Sequence, residues 1–100
     1  MNSTAHTPGP WMTEHETFEA GSAYWIHSQY ENRIARVSGG TKHPSAVTNA
    51  HLIAAAPAMY RELETVREYL LKLYDQGNSE AGQYAASIDT TLAQAEGRDK

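Results

Sequence analysis

The chain has no cysteine, so disulfide staples and Cys-based zinc sites are excluded. It has a single phenylalanine and only four prolines. No apolar run approaches the ~18 residues of a membrane span. It also lacks a surplus of positive charge. Eight Lys and Arg face twelve Asp and Glu, a formal net charge of −4. A general attraction for long nucleic acid is therefore not expected. The first ten residues are small and polar and lack the apolar segment of a signal peptide, which makes a cytoplasmic location the expectation.

What is present is one domain's worth of chain. One hundred residues with 40% hydrophobic and 20% charged content suit an ordered domain rather than a disordered segment. The two halves differ in kind. Five of the nine aromatics lie between Trp11 and Tyr30, whereas most Leu and Ala follow Ser45. Aromatic and β-branched residues favour strands, and Ala and Leu favour helices.

Residues 1–10 read as an irregular lead-in. Pro8 presets φ in Thr7-Pro8-Gly9-Pro10, and Gly9 suits the positive φ of a type II turn. Trp11 follows as the anchor for this segment. Three short strands are expected over 11–40, at Trp11–Phe18, Ala23–Gln29 and Arg33–Ser38. Turns at Ala20-Gly21-Ser22 and Tyr30-Glu31-Asn32 join them in an antiparallel meander. Gly39-Gly40 ends it.

After Gly40 the period becomes helical. Pro44 or Ser45 opens an Ala-rich helix, and Pro57 breaks it and starts a second one. That second helix runs to about Asp75. Met59, Leu63, Val66, Leu70 and Leu73 recur at spacings of four and three and form one stripe. Tyr60, Leu71, Tyr74 and Tyr69 widen the arc to ~200°, about twice a single packing face. Gly77 stops the helix, and Ser79 is expected to cap the next. The last helix, about Glu80–Glu96, carries Ala81, Ala85, Ile88, Leu92 and Ala95 and should pack antiparallel on its predecessor. Residues 97–100 form a tail. The expected fold is thus α+β in a single domain: a three-stranded antiparallel β-meander, a kinked helix, and a C-terminal helical hairpin within 44–96.

Catalytic signatures are absent. The five histidines form no His-x-x-x-His or Glu-x-x-His pair, so no metal ligand set is assigned. No serine sits in a Gly-x-Ser-x-Gly elbow. Gly39-Gly40-Thr41-Lys42 lacks the first glycine of a phosphate loop and the hydroxyl residue after its lysine. The reading is a non-enzyme without cofactor. One constellation has binding chemistry: Trp25 and His27 share a strand face, with Tyr30, Arg33 and Arg36 close by. Aromatic rings stack bases and guanidinium groups pair with phosphates, so this is the candidate ligand site. The bland reading is a core Trp25 with exposed arginines.

Two stretches carry a family resemblance. His6-Thr7-Pro8-Gly9-Pro10-Trp11 and Asn49-Ala50-His51-Leu52-Ile53-Ala54-Ala55-Ala56-Pro57 resemble small phage and prophage proteins. Those proteins carry a His-Thr-Pro-Gly-Pro-Trp motif and then an Asn-Ala-x-Leu-Ile-Ala-Ala-Ala-Pro helix. The resemblance implies a phage-type accessory protein and no catalytic residues. In physical terms the Ala run permits close helix approach, and Asn49 is placed to hydrogen-bond the Pro-Gly-Pro turn. A ligand role for His6, Trp11 and Asn49 is the alternative.

Three functions follow as expectations. The first is a homo-oligomer that sequesters a small nucleotide-type host immune signal, as a counter-defence sponge. Trp25, Tyr30, Arg33 and Arg36 would hold the ligand, and Tyr60, Arg67, Leu71 and Tyr74 would form the oligomer interface. The second is an inhibitor docked on a host defence protein, of anti-CRISPR type. The third is a structural phage domain without a ligand.

Overall fold

A computed structural model describes residues 6–19, 21–29, 32–39 and 44–98. The element order is β1 (Trp11–Phe18), β2 (Gly21–Ser28), β3 (Arg33–Val37), α1 (Pro44–Ala54), α2 (Ala56–Asp75) and α3 (Ser79–Ala95). This is the α+β arrangement expected from the change of period after Gly40. No helix of the described residues is long and apolar enough to cross a membrane. The chain falls into two compact units, residues 7–58 and residues 59–100 with 1–6.

In the first unit the three strands form an antiparallel sheet in the order β1-β2-β3. Phe18 pairs with Gly21, so β2 starts two residues before the expected Ala23. The register then runs to Trp11 opposite Ser28. Between β2 and β3 it slips. Ile26 pairs with Ala35 and His27 with Arg33, which leaves Ile34 as an extra residue. α1 packs across all three strands. Its fully buried residues are Ala46 and Ala50, one turn apart. Ile26, Ser28 and Ala23 are the buried residues of the sheet. The core is built mostly from small side chains, and α1 belongs with the strands rather than with the helical hairpin.

The lead-in is tied down as expected. The Trp11 indole Nε1–H donates to the Thr7 carbonyl at 3.1 Å. The turn itself differs from the type II form: Gly9 stays out of the positive-φ region, and the Gly9–Pro10 peptide is cis. Asn49 is exposed on α1. The hydrogen bond expected from it to this turn is not made among the described residues. At the other end of α1 the break falls where the proline dictates. Ala55 separates the helices, and Pro57 lies in the first turn of α2, where its missing N–H costs nothing.

The second unit contains the α2–α3 hairpin. Gly77, at φ +104°, ends α2. Its N–H donates to the Tyr74 carbonyl at 2.9 Å, and the Asn78 N–H donates to Leu73 at 3.0 Å. This is the paired closure that a left-handed glycine allows. The cap of α3 is Asn78, not the expected Ser79. Its Oδ1 accepts from the Ala81 N–H at 3.0 Å. The chain closes α2 on Gly77 and reaches the capping position one residue sooner. Replacing Asn78 by alanine is expected to cost about 1 kcal/mol in thermal or urea unfolding, and Ser79→Ala much less. Equal losses for the two would return the cap to Ser79.

Candidate functional site

The expected ligand constellation comes together on one sheet face. Alternation places Met12, Glu14, Glu16 and Phe18 of β1 on the same side as Trp25 and His27 of β2. Arg36 lies opposite Trp25 on that side. The slip at Ile34 turns Arg33 onto it as well. The Arg33 guanidinium carbon lies 4.1 Å from the Trp25 ring centroid, a cation–π contact. The Trp25 Nε1–H donates to Glu16 Oε1 at 2.6 Å. Arg33 also sits 3.8 Å from Glu14 and 3.9 Å from Glu16.

These residues neutralise one another. The indole that would stack a base already carries a guanidinium on its face. The guanidinium that would meet a phosphate faces two carboxylates. Trp25 is half-buried rather than a core residue, and Arg36 is exposed. Tyr30 lies outside the described residues. Glu14 and Glu16 were not among the expected ligand residues. The signal available was the alternation itself, which puts Glu14 and Glu16 on the Trp25 side. On the other face His15 stacks on Tyr24, with centroids 4.6 Å apart.

The residues assigned to an oligomer contact are placed differently. Tyr60, Arg67 and Tyr74 engage α3 of their own chain. The Tyr60 hydroxyl donates to Glu96. Arg67 pairs with Asp89. The Tyr74 ring lies on Gly82, where a Cβ would clash with it. Leu71 and Tyr74 border a groove of about 540 Å³ that is also lined by Gly82 and Ala85. His6 joins the far end of this hairpin, its ring edge-on to Tyr60 at 5.4 Å.

The Tyr60–Glu96 pair shifts both groups. The hydrogen bond to Glu96, with help from burial and from the charges of Glu96 and Glu64, pushes the Tyr60 hydroxyl up to about 12. The same bond, together with one from Arg98, holds Glu96 below its ordinary value. The raised Tyr60 value means its contribution is complete below pH 10 and is lost as pH climbs through 12. The lowered Glu96 value means its contribution is present above the ordinary carboxylate range and lost in acid. In a spectrophotometric titration one of the six tyrosines should ionise near 12. Glu96→Ala should bring it back towards 10; an unchanged curve in that variant would refute the pairing.

Among the described residues, no group of three or more His, Asp or Glu side chains is placed to hold a metal ion. A family profile described as Salmonella phage P22 protein Y8K6 matches residues 1–99. The chain belongs to this phage protein family. No curated protein matches the chain significantly. The same is true of the solved structures. The Y8K6 family match agrees with the phage resemblance carried by the two motifs. It attaches no activity to the sheet face or to the hairpin.

Proposed function

We propose that this Y8K6-family chain is a non-enzymatic phage accessory protein that acts by binding a protein of the infected cell through the open face of its sheet. The observation that carries this reading is the Trp25–Arg33–Glu14–Glu16 cluster, set on the same face as the exposed Met12 and Phe18. Trp and Arg anchors beside exposed apolar side chains are the composition of a protein interface. A nucleotide phosphate brought to the same spot meets two carboxylates before it reaches Arg33, which weighs against the sponge.

The test is affinity capture from phage-infected cells with the wild-type chain and with Trp25→Ala and Phe18→Arg. One specific protein retained by the wild type and lost by both variants is the expected result. Native mass spectrometry of the purified chain tests the competing reading. A retained nucleotide that disappears in Trp25→Ala would establish the sponge instead.

A further inference from the structure

We infer that the protein partner proposed above, a reading on which this one rests, adds an extended basic strand to the outer edge of β1. The sheet has two edges, β1 and β3, and they are built differently. β3 is five residues long, carries Arg33 and Arg36, and is interrupted by the extra residue at Ile34. Short length, cations and a bulge are devices that keep a sheet edge from pairing further. β1 has none of them. It is eight residues long, holds no Pro, Gly, Lys or Arg, and keeps an unbroken register with β2 from Trp11 to Phe18. Among the described residues, no backbone hydrogen bond outside the sheet ladder involves residues 12–18. The outward amides and carbonyls of such an edge are a template for one more strand.

The side chains along this edge indicate which strand. On the Trp25 side β1 presents Met12, Glu14, Glu16 and Phe18, two carboxylates between two exposed apolar side chains. Arg33 reaches these carboxylates only at 3.8 and 3.9 Å, beyond hydrogen-bond distance. Arg36 is rooted on β3, about 10 Å from β1 at ~4.8 Å per strand. One guanidinium thus serves two carboxylates, and the edge keeps a negative charge. A strand added to β1 sets its side chains directly opposite them. Lys or Arg at two alternate positions then pairs with Glu14 and Glu16, and an apolar residue on either side meets Met12 and Phe18. The order apolar, basic, basic, apolar reads the same from both ends, so it holds for either strand direction. A second copy of β1 is the wrong occupant. Side chains on one side must face each other, and the two longest antiparallel registers that allow this set Glu14 against itself, or Glu14 against Glu16 twice. Like charges directly opposite destabilise a strand pair.

The probe is a synthetic peptide, Thr-Val-Thr-Lys-Thr-Lys-Thr-Val-Thr, titrated into the full chain and followed by amide NMR. Shifts concentrated on residues 11–18 and saturating below about 1 mM are expected. The same peptide with both lysines replaced by glutamate should bind at least ~10-fold more weakly. Glu14→Lys, at an exposed position, should weaken the lysine peptide at least ~5-fold and strengthen the glutamate one. A strand offers β1 only every second amide, so of two peptides N-methylated at alternate residues one should lose binding and the other keep it. No shift at 1 mM would overturn the strand. So would equal binding of the lysine and glutamate peptides, or indifference to both N-methylation patterns. A cellular protein captured through Trp25 and Phe18, with β1 indifferent to the peptide, keeps the partner reading and overturns the strand. A peptide bound along β1 with no protein captured does the reverse.

Discussion

Ile26→Ala is expected to cost about 2–4 kcal/mol, the largest effect of any single side chain in the sheet unit. Ile26 lies at the centre of β2, between Thr13 and Ala35, and is fully buried. Among the described residues it is the largest fully buried apolar side chain, so its truncation leaves the largest void. A domain of this size has about 5–10 kcal/mol in total. The variant therefore loses a large share of what holds the strands to α1. Urea unfolding followed by tryptophan fluorescence reads this directly, because Trp11 and Trp25 both lie in that unit. Ile26→Val should cost only about 1 kcal/mol. A loss below that for alanine would mean the site is not packed.

The second large effect has the opposite sign of volume. Ala50→Leu is expected to cost about 1–3 kcal/mol through overpacking. Ala50 is fully buried, and α1 runs across all three strands. Three added carbons must push the helix off the sheet or take a strained rotamer. Intrinsic helix propensity barely changes between Ala and Leu, so it cannot offset the clash. Leu at the exposed position Ala55, between the helices, should by contrast stay within about 0.5 kcal/mol. Equal tolerance at the two positions in fluorescence-detected unfolding would contradict the close approach of α1.

Much of this architecture is legible in the residues, and the reasons are local. Alternation and turn chemistry give β1 and β3 nearly to the residue. Pro57 gives the helix break, and Gly77 gives the end of α2. What escapes local reading depends on register. Strict alternation would send Arg33 to the side of Ala35 and Val37. One extra residue at Ile34 turns it onto Trp25, and no pattern in five residues announces that slip. Tyr60 and Tyr74 stand out on the wide arc of α2, and Arg67 lies midway between them in the chain. Which residues of α2 are claimed by α3 is fixed by the length of the Gln76–Asn78 connection, which sets where Gly82, Asp89 and Glu96 fall. A ligand class cannot be read at all, because the carboxylates that neutralise Arg33 look in sequence like ordinary solvated strand residues.

The seven-residue spacing of the hairpin ties makes the two helices behave like a ratchet with three teeth. One residue inserted into α2 between Arg67 and Tyr74 rotates everything before it by ~100° relative to the turn. Tyr60 and Arg67 then leave Glu96 and Asp89 together, while Tyr74 keeps its seat on Gly82. A seven-residue insertion in α2 matched by seven in α3 adds a tooth and preserves the others. Phage relatives that differ in hairpin length should therefore do so in sevens, in both helices at once.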